Sequence, residues 1–131
     1  MPDIPADLRY SKDHLWARPG GAGLVRVGVT DFAQQSLGDV VDVTLPGPGD
    51  TVKANEACGD IESVKSVSDL IAPVTGTVRA RNDDLAGTPE LVNIDPYGRG
   101  WMLDIETDPV RLSQQLAALM DARAYRDLVG A

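Results

Sequence analysis

Turns built from glycine and proline interrupt this chain so often before residue 107 that only short extended segments fit between them. Pro19-Gly20-Gly21-Ala22-Gly23 cannot hold a helix and reads as a hairpin loop, and Pro46-Gly47-Pro48-Gly49-Asp50 reads as a turn. The segments between such breaks alternate with the period of a strand. Val25, Val27 and Val29 share one face of a strand over 24–29. Val41, Val43 and Leu45 predict the same over 40–45. Further strands are expected at 8–10, 14–18, 57–64, 68–72, 76–80 and 101–105. The turn segments Pro46 to Val52 and Pro73 to Val78 echo one another, each with Pro, a Gly three residues on, then Thr-Val.

Two regions depart from this pattern. Thr30 can cap a short helix that runs to Leu37, with Gly38 ending it in a left-handed conformation. Near residue 108 the period changes to that of a helix. Asp108 is a good cap and Pro109 a good first residue, and Leu112, Leu116, Leu119 and Met120 then fall on one face. Asp121 can cap a second helix, with Ala122, Tyr125, Leu128 and Val129 turned inward. The expected organisation is one domain over 1–131, with a β core at about 8–107 and a helical cover at about 108–129.

The 131 residues suit one hydrophobic core. A formal charge of −8 leaves no basic footprint for nucleic acid. No apolar run is long enough to span a membrane. Cys58 is the only cysteine, so no disulfide can form within the chain, and the N-terminus resembles neither a signal nor a transit peptide. The expectation is a cytoplasmic monomer. With one histidine, His14, and one cysteine, the chain has too few soft ligands for a zinc site, and a Cys-His catalytic pair has no supporting motif. Gly20 to Gly23 precede a strand rather than a helix, the wrong context for phosphate binding.

One segment stands apart. In Glu62-Ser63-Val64-Lys65-Ser66-Val67-Ser68-Asp69-Leu70 a lysine falls between two strand-like runs, near the tip of a tight connection. A side chain that carries a long arm must sit at such a turn, where a modifying enzyme can reach it and the arm can swing clear. A lysine ammonium is a poor nucleophile until another protein's site deprotonates it. By pattern alone, an ordinary solvated hairpin lysine is the better reading.

The stretch Gly59 to Asp69 resembles the lipoylation motif of the glycine cleavage system H-protein family. Tyr10 to Trp16, Val27 to Gln34, Leu37 to Val41 and Ala72 to Gly76 resemble further blocks of that family, in order. So do Asn82-Asp83, Pro89 to Asn93, Asp95 to Gly98 and Gly100 to Met102. The resemblance implies a mainly β fold: a flattened barrel-sandwich hybrid of two antiparallel sheets, with short C-terminal helices. It implies lipoate covalently bound to Lys65, within a modification motif and arm cleft that draw on Glu62, Ser63, Val64, Ser66 and Asp69, with His14 as a further cleft residue.

By the same resemblance the chain is a carrier rather than an enzyme. Glycine decarboxylase, a pyridoxal-phosphate enzyme, would load an aminomethyl group on the arm. An aminomethyltransferase would unload it, and dihydrolipoyl dehydrogenase would reoxidise the dithiol. A lipoate ligase or a lipoyl or octanoyl transferase would attach the arm. Relay of lipoyl groups to other enzymes, and an unmodified partner-binding scaffold, are the alternative roles. A biotin carrier usually places its lysine between methionines, whereas Val64 and Ser66 flank Lys65. A lipoyl domain of a 2-oxoacid dehydrogenase usually has Asp before its lysine.

Three positions depart from the family pattern. Leu15 stands where Glu is usual between His and Trp, which removes a charge-assisted contact to a loaded arm and reads as drift at an exposed position. Asp69 keeps a second acidic position of that cleft, and Asp13 lies nearby. Phe32 stands where His or an aromatic is common. Asp42 replaces a usual Phe and is expected to face solvent.

Overall fold

The computed structural model describes residues 2–131. Its strands are β1 (Arg9–Tyr10), β2 (Leu15–Gly21), β3 (Leu24–Val29), β4 (Val40–Thr44), β5 (Thr51–Val52), β6 (Ala57–Ser63), β7 (Val67–Ile71), β8 (Gly76–Arg81) and β9 (Leu103–Glu106). The helices are α1 (Asp31–Leu37), α2 (Asp84–Gly87), α3 (Leu91–Ile94), α4 (Pro109–Ala118) and α5 (Ala122–Val129). The strands form a six-stranded sheet in the order β1-β2-β3-β9-β8-β5 and a three-stranded sheet in the order β4-β6-β7. Every paired neighbour is antiparallel.

The two antiparallel sheets and short helices agree with expectation, but the sheets do not close into a barrel. Side chains satisfy backbone groups where a further strand would otherwise pair. The amide of Val40, at the start of an edge strand, donates to Asn93 Oδ1 at 2.9 Å. The two echoing turn segments meet in the larger sheet: Thr51 pairs with Thr77, and Val52 with Gly76.

Core alternation holds in β3, where Val25, Val27 and Val29 are buried. It fails in β4. A register shift between Val40 and Asp42 turns Val40 inward and leaves Val41 46% exposed. Asp42 faces solvent, as expected. In α5, Ala122, Tyr125 and Val129 follow i, i+3 and i+7 spacing onto the protein, whereas Leu128 falls off that stripe and is 52% exposed. The inward expectation for Leu128 is therefore corrected. The caps behave as read: Asp108 accepts from the amides of Val110 and Arg111, and Asp121 from that of Ala124. The short elements β5, α2 and α3 have too few residues to show a period.

Leu15 also needs correction. It is 4% exposed rather than a surface residue. β2 is buried on both faces in its first half. Leu15 and Ala17 face the main core between the sheets. Trp16 points the other way, into a second apolar cluster with Ile4, Leu8, Tyr10, Ala122 and Tyr125. The helical cover is thus divided: α4 adds Leu112 to the main core, and α5 closes the second cluster.

Candidate functional site

Lys65 is exposed in the connection between β6 and β7. Ser63 N–H donates to the Ser66 carbonyl at 2.8 Å, closing a loop whose central residues are Val64 and Lys65. Neither has positive φ, so the loop lacks the primed turn geometry that best matches strand twist. Ser63 compensates. Its hydroxyl oxygen accepts from the amides of Lys65 and Ser66, both at 3.2 Å, and the residue is only 6% exposed. The Val64 amide donates to the Asp39 carbonyl at 3.0 Å and ties the loop to the entry of β4. Gly38 ends α1 at φ 77° and ψ −157°, a region open essentially to glycine and distinct from the left-handed helical one expected. A Cβ built there would meet Lys65 Cε at 3.3 Å, so the lysine stem lies across the end of α1.

The inward side of α1 borders a cleft of about 230 Å³. Phe32, Ser36 and Leu37 line one side, Ile61, Ser68 and Leu70 another, and Asp13, His14 and Asp69 supply its charged and titratable groups. The sequence-predicted residues therefore separate into two places. Glu62, Ser63, Val64 and Ser66 belong to the hairpin that presents Lys65. Asp69 and His14 belong to the cleft. Leu15 lines the cleft floor while also packing in the core.

His14 sits at φ 69°, a strained conformation for a residue with a Cβ. Hydrogen bonds hold it there: its amide donates to the Ser11 carbonyl at 3.1 Å, and its carbonyl accepts from the Thr30 amide at 3.0 Å. Its Nδ1 lies 2.9 Å from Tyr125 Oη, which lies 2.7 Å from Thr30 Oγ1. Phe32 packs against the imidazole with ring centres 5.0 Å apart. Sequence reasoning missed Ser36, Thr30 as a side-chain partner, and Tyr125. They come from distant parts of the chain, and Tyr125 reads simply as a core residue of α5.

Burial pushes the His14 imidazole below the usual histidine range, and the charge of Asp13 opposes that shift. An unfolded chain then binds this proton at a higher pH than the folded one. The His14 contribution to stability is present above the unfolded value of 6.5 and is lost as pH falls through the folded value. Urea midpoints measured between about pH 7.5 and about pH 5 should fall on acidification, and His14→Gln should flatten that slope. Identical slopes in both proteins would contradict the assignment.

Other reactive groups are quiet. Burial raises the Cys58 thiol above its ordinary value, away from thiolate chemistry. Among the described residues no group of three or more His, Cys, Asp or Glu side chains could hold a metal ion, and no helix is long and apolar enough to cross a membrane.

Comparison with known proteins matches residues 8–130 to the family model described as Glycine cleavage H-protein. A glycine cleavage system H protein of Mycobacterium avium is 57% identical over 127 residues, covering 96% of each chain. One from Mycobacterium tuberculosis is 55% identical over 129 residues, again covering 96% of each. The crystal structure of a glycine cleavage system H protein from Mycobacterium marinum superposes with a TM-score of 0.85 at 40% identity, covering 98% of this chain and 100% of that one.

Proposed function

Because this chain belongs to the glycine cleavage H-protein family and has a lipoyl carrier role in the glycine cleavage system, we propose that Lys65 is the attachment point of its lipoyl arm and that the cleft beside α1 is the resting place of that arm. The observation that carries the proposal is an exposed lysine on a clamped two-residue loop, with its stem lying across the end of α1, the helix that walls a part-apolar cleft.

The residues present fit the group. Lys65 offers an amine free of any protein hydrogen bond or ion pair among the described residues. The cleft pairs apolar walls from Phe32, Leu37 and Leu70 with polar groups from His14, Ser36 and Asp69. When bound, lipoate supplies a dithiolane that opens to carry a one-carbon amine fragment and is restored by oxidation. The chain contributes position. Ser63 fixes the direction in which the Lys65 stem leaves the loop. Twelve or so bonds from the lysine Cα give a tether of roughly 14–15 Å extended, which raises the effective concentration of its end at a docked site. Amide formation removes the lysine charge, so no ammonium has to be desolvated when the tether enters an apolar cleft.

The partners proposed are glycine decarboxylase, the aminomethyltransferase, dihydrolipoyl dehydrogenase and a lipoate-attaching enzyme. Val64 and Val67, 67% and 64% exposed beside the lysine, give each of them apolar surface to contact. Cytoplasmic residence as a monomer is part of the same proposal.

Intact-protein mass spectrometry from the native source tests the attachment. One lipoyl increment is expected, mapping to the peptide that contains Lys65. A biotinyl increment, a bare lysine under conditions of active glycine cleavage, or lipoyl on Lys12 or Lys53 would overturn it.

A further inference from the structure

We propose that Tyr125 is a positioning residue: through a hydrogen-bond chain from Thr30 it holds the neutral His14 ring in the Nε2–H form and offers that N–H to the cleft as a fixed donor. The functional half of this inference rests on the cleft being the resting place of the arm. The tautomer does not.

The direction of the chain follows from counting protons. Thr30 is fully buried, out of reach of bulk water. Its Oγ1 accepts from the Ala33 amide at 3.2 Å, as the cap of α1. Among the described residues the one acceptor in reach of its own proton is Tyr125 Oη, at 2.7 Å. Were Tyr125 to donate to Thr30 instead, the threonine proton would be buried without a partner. Thr30 is therefore the donor. Tyr125, also fully buried, has a single proton left to give, and its other neighbour is His14 Nδ1 at 2.9 Å. An Nδ1 that accepts leaves the neutral ring protonated at Nε2.

Nε2 has no protein partner among the described residues, and no buried side-chain nitrogen or oxygen is left unpaired, so this atom has access to solvent. The ring itself lines the cleft. A donor held there suits a lone pair on nitrogen, oxygen or sulfur, all of which a lipoyl arm or its amine cargo presents. The charged and titratable groups around the ring are Asp13 from the same loop, Asp69 from β7 and Tyr125 from α5; Phe32 and Ser36 from α1 carry no charge. The carboxylates only accept, so His14 supplies a donor that they cannot.

A histidine with no other in the chain can be read directly. Nitrogen-15 NMR of the unlipoylated protein near pH 8 should show the Nε2–H form exceeding the Nδ1–H form by roughly fivefold or more, the ratio set when about one net hydrogen bond separates them. Tyr125→Phe keeps the ring that stacks on Tyr10 but removes the hydroxyl, and should lower that ratio several-fold. Thr30→Ser, which keeps the hydroxyl, should leave it unchanged. A dominant Nδ1–H form in the parent protein overturns the proposal without any variant. So does a ratio insensitive to Tyr125→Phe in a folded protein. Lipoylation should then shift the Nε2 resonance. A resonance that does not move counts against the cleft as the resting place of the arm, and leaves the tautomer result standing.

Discussion

Lys65→Arg should abolish lipoyl loading and reduce glycine oxidation in a reconstituted system to background, while leaving the fold intact. Arginine keeps the charge and length of lysine, but its guanidinium stays protonated and cannot be acylated in its place. The side chain is exposed, so the stability change should lie within about 0.5 kcal/mol, as for other surface substitutions. The chain has two other lysines, Lys12 and Lys53. Their arginine variants form the control and should load normally. A Lys65→Arg protein that supports glycine oxidation as well as the parent would remove the attachment point from this account. A Lys65→Arg protein that still loads a lipoyl group would do the same whether or not it turns over, because the arm would then sit on Lys12 or Lys53.

The lysine hairpin was legible because it needs nothing beyond local sequence. Two strand-like runs meet at a short connection, and a family motif covers it. The caps at Thr30, Asp108 and Asp121 were legible for the same reason, since each acts within its own first turn. The cleft was not. Its walls come from α1, β6 and β7, and its histidine is held by Thr30 and by Tyr125, the latter 111 residues away. No period or spacing records such a convergence. Leu15 shows the cost of reasoning position by position. A residue facing an arm cleft looked exposed, yet the same side chain is part of the core, because the cleft floor and the core are one surface there. Leu15→Glu would bury a carboxylate rather than restore a surface contact. Val41 shows a second limit: alternation is the right rule and holds for Val43 and Leu45, but a single register shift turns Val41 out and Val40 in.

Trp16→Ala should be the most destabilising single truncation among these residues. The indole is fully buried, and its Nε1–H donates to the Pro96 carbonyl at 2.9 Å. Truncation of a buried aromatic costs roughly 3–5 kcal/mol when the surroundings cannot collapse, and here an acceptor is also left unpaired. Collapse is hindered because β2 is pinned between β1 and β3. Gly28 is fitted to the ring: a Cβ there would lie 2.8 Å from the indole. For a chain of this size total stability is roughly 7–20 kcal/mol, so the loss is a large share of it. The urea midpoint should fall steeply with an unchanged m-value. Trp16→Phe should lose less, because most of the packing remains. The cluster around Trp16 also seats Tyr125, whose ring stacks on Tyr10 at 4.7 Å, so a loosened cluster should disturb the His14 signal as well. A Trp16→Ala loss below about 1 kcal/mol would mean that α5 and the N-terminal segment are held elsewhere. The route by which the far end of the chain reaches the cleft would then need another anchor.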